Sequence, residues 1–292
     1  MESKQGNPVV LITGCSSGIG LATAWHFHQQ GWRVIATLRD PAQHQGLADR
    51  PGIICPQLDV TDHARIPEVV AEGLAAFGRL DAVVNNAGYG LMGAFETLSA
   101  EQVQRQFATN VFAAMEVCRA VLPHFRAQQR GTIVNITSMV GRLPLPLYSV
   151  YNASKHALEG FTEGLTYELE PLGIRVRIVE PGAVNTQFFG RSADRENQTG
   201  VQAYAAYSDW QLAVMDRTGP GGSSSEDAAR VIYRAATSRS GRLRYLVGSD
   251  ARMLMFARAT LPGRVFRRLI RLSLTEWAMN SVGRLLYRGS GA

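Results

Sequence analysis

Residues 9–31 constrain the fold more than any other stretch. Val9 to Thr13 is a short apolar strand, Gly14 to Gly20 a glycine-rich turn, and Leu21 to Gln30 a helix closed by Gly31. Strand, turn and helix in that order are the setting a dinucleotide loop needs. Gly14 allows the tight turn, Gly18 lets backbone approach a pyrophosphate, and Gly20 permits close packing of the helix, whose free N–H groups face the phosphates. The spacing is G-x3-G-x-G rather than G-x-G-x2-G, with Ser16, Ser17 and Ile19 completing the candidate loop.

The remaining chain repeats the alternation. Strands are predicted at Arg33–Leu38, Ile53–Leu58, Leu80–Val84, Thr132–Thr137, Val176–Val179 and 243–248, and helices at Ile66–Phe77, Ala100–Arg126, 152–170 and 226–238. This indicates an α/β fold with a single doubly wound, Rossmann-type parallel sheet. A length of 292 residues allows two domains, yet such units often reach this size as one. We expect a catalytic domain at 1–250 and a basic amphipathic, helical extension at 251–292. Residues 187–225 depart from the alternation, carry Phe188, Phe189, Tyr204, Tyr207, Trp210, Leu212 and Met215, and finish in GPGGSSS. A mobile substrate lid with a flexible end is expected there.

The chemistry is expected in SVYNASKHALEGF at 149–161, where Tyr151 and Lys155 stand four residues apart on one helix face. A phenol has an unperturbed pKa of roughly 10, so using it to pass a proton at neutral pH requires a nearby cation. Lys155 can be that cation. Leu158, Phe161, Leu165 and Leu169 continue an apolar stripe that fixes where the two polar groups point. Ser138 closes the apolar strand 132–137 at the carboxyl edge, where open sheets bind ligands.

TGCSSGIG at 13–20, NNAG at 85–88, Ser138, Tyr151-x3-Lys155 and PG at 181–182 occur in the order of the short-chain dehydrogenase/reductase family, which the chain resembles over roughly 8–250. TGCSSGIG together with ATLRD at 36–40 is similar to its 17β-hydroxysteroid dehydrogenase type 1 and retinol dehydrogenase-like branch. The resemblance implies seven strands in the order 3-2-1-4-5-6-7. It implies that Tyr151 is the general acid/base, that Ser138 positions the substrate oxygen, that Lys155 lowers the tyrosine pKa and binds ribose, and that Asn110 bends its helix around a proton-relay water. It further implies adenine contacts at Asp59 and Val60, and adenosine contacts at Asn86, Ala87 and Gly88. Nicotinamide contacts are implied at Pro181, Gly182, Val184 and Thr186. The plain alternatives are a turn cap for Asp59 and a helix cap for Thr186.

An acid at the end of the second strand holds a ribose 2'-OH, whereas an arginine accommodates a 2'-phosphate. Leu38 stands in the acid's place and Arg39 follows, so NADP(H) is expected. Ser17 replaces the basic residue that many NADP-dependent members carry before the second glycine, which keeps NAD(H) open. The lid aromatics and the lack of a basic anchor predict a bulky hydrophobic ketone, aldehyde or alcohol, steroid-, retinoid- or aryl-ketone-like. Packing of a second helix layer is the other use for those aromatics. A homodimer or homotetramer through helices 100–126 and 152–170 is also implied by the family. The rival reading is a non-catalytic nucleotide-sensing or scaffold protein on the same fold.

The net charge of +6 is unevenly placed: residues 251–292 hold eight Arg against one acid, Glu276, and the rest of the chain nets −1. A nucleic-acid face on the body is therefore not expected. The basic tail interleaves Met253, Leu254, Phe256, Val265, Phe266, Leu269 and Ile270 with arginines. Its apolar face either closes over the cleft or a subunit partner, or lies in an anionic membrane surface. The start MESKQGNPVV lacks a signal-peptide pattern and no apolar run approaches the roughly 18 residues of a membrane span, so a cytoplasmic protein, with peripheral membrane contact through the tail as an option, is expected. Cys15, Cys55 and Cys118 read as reduced thiols, and His26 and His28, two apart on a helix, do not form a metal site.

Overall fold

A computed structural model describes residues 6–185, 193–195, 201–218 and 221–273. The chain runs β1 (Val9–Ile12), α1 (Gly18–Gln29), β2 (Arg33–Ala36), β3 (Ile53–Ile54), α2 (Arg65–Phe77), β4 (Ala82–Asn85), β5 (Gly90–Met92), α3 (Ala100–Phe107), α4 (Ala113–Gln128) and β6 (Gly131–Ile136). It continues through α5 (Ser149–Leu169), β7 (Ile174–Pro181), β8 (Ala193–Arg195), α6 (Ala205–Thr218), α7 (Ser225–Thr237), β9 (Arg244–Val247), α8 (Ser249–Thr260) and α9 (Gly263–Ser273). Seven strands form one sheet in the order β3-β2-β1-β4-β6-β7-β9, every neighbour parallel. Counting only those seven reproduces 3-2-1-4-5-6-7. The additional β5 and β8 pair separately with each other.

Side-chain alternation along each strand builds two cores. Val10, Ile12, Val34, Val84, Val134 and Val179 meet Phe27 of α1 and Ile232 and Ala235 of α7 on one face. Val9, Leu11, Ile35, Val83, Ile133 and Val176 meet Val69 of α2, Val117 and Phe125 of α4, and Leu165 and Leu169 of α5 on the other. Each fully buried aliphatic side chain of this kind contributes about 1.5–3 kcal/mol against exposure. The parallel register brings the ends of β4, β6, β7 and β9 to a common edge, and the loops leaving it carry the candidate site.

Three local departures from the sequence reading have physical causes. β2 and β3 are shorter than predicted because the carbonyl of Thr37 accepts from Cys15 N at 2.8 Å, turning the chain toward the glycine loop, while one further bridge joins Leu38 to Gln57. The helix predicted at 100–126 is split: residues 108–112 form a π turn around Asn110, in which the N–H of Ala113 reaches back to the carbonyl of Ala108. The glycine-rich segment expected to be a flexible end is tied down at Ser223, whose N donates to Ala183 O at 2.9 Å while its carbonyl accepts from Asn185 N at 2.8 Å. No helix among the described residues is long and apolar enough to cross a membrane.

Candidate active site

The glycine loop is shaped by close approach. Gly14 has φ +74°, and a Cβ there would lie 3.0 Å from Ala87 Cα; a Cβ on Gly20 would overlap the Gly14 carbonyl. Ser17 caps α1 in an extended conformation without a side-chain bond, and Leu21 N is the donor that reaches the Ser17 carbonyl, at 3.3 Å. The N–H groups of Gly18, Ile19 and Gly20 therefore have no carbonyl one turn before them. Ser16 and Ser17 sit half-buried beside these donors. A cradle that no side chain could fill, opened at a helix start, fits a pyrophosphate.

Thr13 organises this loop, a role its place as the last residue of an apolar strand does not signal. Its hydroxyl accepts from Asn86 N and Ala87 N, both at 3.0 Å, and Asn86 Nδ2 donates to Thr13 O at 2.9 Å and Gly14 O at 3.1 Å. Asn86 thus braces the loop with its side chain, leaving Ala87 and Gly88 to present backbone. Val60, Ala87 and Thr109 line a small recess with Thr13. Asp59 is exposed, and its carboxylate accepts from Thr61 N at 2.9 Å and Thr61 Oγ1 at 2.7 Å, so it caps a turn. Arg39 is exposed and its guanidinium has no hydrogen-bond partner among the described residues, whereas Leu38 is 2% exposed within the core.

The structure brings Ser138, Tyr151, Lys155 and Asn110 together. Tyr151 is buried on α5 among Met92, Val140, Leu147, Tyr148 and Leu212. Ser138 leaves β6 in extended backbone, donates to Pro181 O at 3.3 Å, accepts from Val140 N at 3.3 Å, and hydrogen-bonds the Tyr151 side chain. Lys155 donates to Ile136 O at 2.9 Å, with its ammonium 5.8 Å from the Tyr151 ring centre. Burial pulls the amine down to about 8, with Glu159 acting in the opposite direction. Burial also pushes the phenol above its ordinary range, and the Ser138 bond offsets only part of that. Desolvation is the largest influence on the phenol, ahead of the Ser138 bond.

Asn110, 1% exposed, accepts from Tyr89 N at 3.0 Å and donates to Tyr89 O at 2.9 Å and Ser154 Oγ at 3.3 Å. Ser154 in turn donates to the carbonyl of Tyr151 at 2.8 Å. A Cβ on Gly88 would lie 3.1 Å from Asn110 Oδ1 and 3.8 Å from Lys155 Nζ, so the loop after β4 packs directly against Asn110 and Lys155. Pro181 closes β7, and Gly182 to Val184 after it form a turn held by Asp250, which accepts from Ala183 N at 2.7 Å and leaves no room for a Cβ on Gly182. Thr186 lies outside the described residues, as do Phe188 and Phe189 and the side chain of Met215. Of the remaining lid residues, Leu212 and Tyr204 pack toward Tyr151, Trp210 is half-buried and Tyr207 is exposed.

Behind the site lies a charged cluster that the sequence reading did not single out. Glu159, one turn beyond Lys155, accepts from Thr137 Oγ1 at 2.6 Å and Arg244 Nε at 3.3 Å. Arg244 also reaches Glu163 at 2.8 Å and Glu180 at 3.7 Å, and Arg142 meets Glu180 at 3.3 Å. Glu180 is fully buried; burial and then Glu159 hold its carboxyl above the usual range. The available signal was a carboxylate four residues after Lys155 on an otherwise apolar stripe. Among the described residues no three His, Cys, Asp or Glu side chains gather as a metal site, and the three cysteines are free.

Comparison with known proteins places this geometry. The short chain dehydrogenase family matches residues 8–197. A 3-ketodihydrosphingosine reductase from Bacteroides thetaiotaomicron is 32% identical over 265 residues, spanning 90% of this chain and 97% of the relative. A short-chain dehydrogenase structure from Streptomyces avermitilis is 34% identical, covers 100% of both chains and superposes with a TM-score of 0.79. ElxO, solved with NADP bound, is 26% identical, with coverage of 82% and 97% and a TM-score of 0.68. A Burkholderia phymatum short chain dehydrogenase/reductase in complex with NAD is 25% identical, with coverage of 87% and 95% and a TM-score of 0.75.

Proposed function

Because the chain belongs to the short-chain dehydrogenase/reductase family and is an oxidoreductase, we propose that it interconverts a bulky hydrophobic ketone or aldehyde and its alcohol with NADP(H). One observation carries this reading: the Tyr151 hydroxyl is hydrogen-bonded to Ser138 in an apolar pocket, one helical turn from Lys155. Gly14, Gly18, Ile19 and Gly20 would hold the pyrophosphate, Val60, Ala87 and Gly88 the adenosine half, and Pro181, Gly182 and Val184 the nicotinamide end. When bound, the nicotinamide supplies or accepts the hydride. Tyr151 gives a proton to the substrate oxygen in reduction and removes it in oxidation, while Ser138 orients that oxygen. Lys155 binds ribose and stabilises the phenolate as it forms. Asn110 fixes Tyr89 and, through Ser154, the start of α5.

The apolar lining by Met92, Leu147, Tyr148 and Leu212 supports a hydrophobic substrate, in keeping with the 17β-hydroxysteroid and retinol dehydrogenase-like branch. Cofactor consumption with steroid, retinoid, long-chain and small hydrophilic ketones tests this. Small hydrophilic ketones turning over best would overturn the substrate class, and nucleotide binding without turnover of any carbonyl would favour the sensor reading. Exposed Phe112 and Tyr167 on the helices expected to pair support self-association. A monomer in sedimentation at micromolar concentration would contradict it.

The preference for NADP(H) rests on Arg39, exposed three residues past β2, with no acid in the place of Leu38. Arg39→Ala is expected to move the ratio of kcat/KM for NADPH over NADH toward NADH by about tenfold, roughly 1.4 kcal/mol of differential binding. Equal effects on both nucleotides would sink the assignment. Leu38→Asp is the weaker test, because Leu38 is in the core and a carboxylate there carries a desolvation cost of its own.

A further inference from the structure

The outward surface of α8 and α9, the last helices among the described residues, serves no part of the redox site. α9 has two apolar stripes. Phe266 and Ile270 face inward against Met255 of α8, Leu143 and Leu145. Val265, Leu269 and Leu272, spaced four and three apart and so on one face, are 45%, 48% and 51% exposed. α8 adds Met253 at 45% and Phe256 at 71%. The sequence left two uses for this segment as competitors, and its two stripes allow both.

Charge selects what can cover the outer stripe. Residues 251–273 contain six arginines, Arg252, Arg258, Arg264, Arg267, Arg268 and Arg271, and no Asp or Glu. All six are exposed. A second copy meeting this face by two-fold symmetry would set six arginines against six with no acid between them, which repulsion disfavours. Large apolar side chains flanked by arginines on a surface helix match instead the boundary between anionic headgroups and acyl chains.

We propose that the outer face of α8 and α9 docks the protein on an anionic phospholipid bilayer. The dock stands next to the site. Leu145 packs both against the Met255 and Phe266 cluster and against the cluster holding Tyr151, and its carbonyl accepts from Asn152 Nδ2 on α5 at 2.9 Å. A carbonyl compound dissolved in the bilayer would thus be held beside the segment 143–148 that lines the phenol pocket. That last step rests on the hydrophobic-substrate reading; the dock itself does not.

The test is co-sedimentation of the full chain with vesicles of pure phosphatidylcholine and of equimolar phosphatidylcholine and phosphatidylglycerol. Binding is expected only to the anionic vesicles and is expected to fall at least tenfold as salt rises from low to molar concentration. The combined variant R264Q/R267Q/R268Q/R271Q and the variant V265S/L269S should each lose at least tenfold in vesicle affinity. Both change exposed positions, so turnover of a water-soluble ketone and the thermal unfolding midpoint should stay at the wild-type values. No binding at low salt, equal binding to neutral vesicles, or wild-type binding by the arginine variant would overturn the dock. So would capture by polyglutamate without vesicle binding, which would assign the face to an acidic protein. A smaller sedimenting species for V265S/L269S would assign it to self-association. If no ketone is ever turned over but anionic vesicles are bound, the dock stands and the substrate reading fails.

Discussion

Tyr151→Phe should lower kcat for carbonyl reduction by about 10³-fold, the middle of the range for losing a positioned general acid, with nucleotide affinity nearly unchanged. The ring stays in the pocket of Met92, Val140 and Leu147, so packing survives and only the hydroxyl is lost. Burial, which pushes the phenol up, keeps it protonated at neutral pH and ready to donate. Lys155, pulled down to about 8, sets the other limit. Below that pH its ammonium stabilises the phenolate that donation leaves behind; above it the amine is neutral and that help is gone. Wild-type reduction should therefore decline as pH rises through about 8. Single-turnover rates with saturating NADPH measure both effects, and a phenylalanine variant within tenfold of wild type would remove Tyr151 from the chemistry.

The strand–helix alternation and the glycine loop were legible because they rest on local patterns, namely apolar runs, helix period and glycine spacing within one βαβ unit, whereas the order of the strands came from the family resemblance. Tyr151 and Lys155 were legible because four residues on a helix is a distance that sequence fixes. What escaped is carried by long-range pairs. Glu159 meets Arg244, Asp250 meets Ala183, and Thr13 meets Asn86, each across many residues of chain that only the folded sheet brings together. Spacing placed Lys155 beside the phenol but could not reveal that its ammonium donates to Ile136 O, nor how strongly burial pushes the phenol up. The amphipathic tail was read as one apolar face with two candidate uses. Tertiary packing of Phe266 and Ile270 separates it into an inner and an outer face.

Glu159→Ala should cost about 1–3 kcal/mol of stability, the range for leaving a buried hydrogen-bonding group without its partner. Glu159 is 5% exposed, and its removal would leave Thr137 Oγ1 without its 2.6 Å acceptor and Arg244 without one of its carboxylates. Glu159→Gln separates structure from charge. The amide oxygen can still accept from Thr137, and Arg244 retains Glu163 and Glu180, so most of the stability should remain. The charge, however, is gone from one turn beyond Lys155. Glu159 raises the lysine against the burial that lowers it, so its neutralisation must move the lysine below about 8. The decline of carbonyl reduction at high pH should then begin at lower pH in Glu159→Gln than in wild type, with KM for the carbonyl little changed. Urea unfolding of both variants and kcat against pH for Glu159→Gln measure the two effects. If the Gln profile superimposes on wild type, Glu159 is a structural brace for Thr137 and Arg244 and does not position the charge of Lys155.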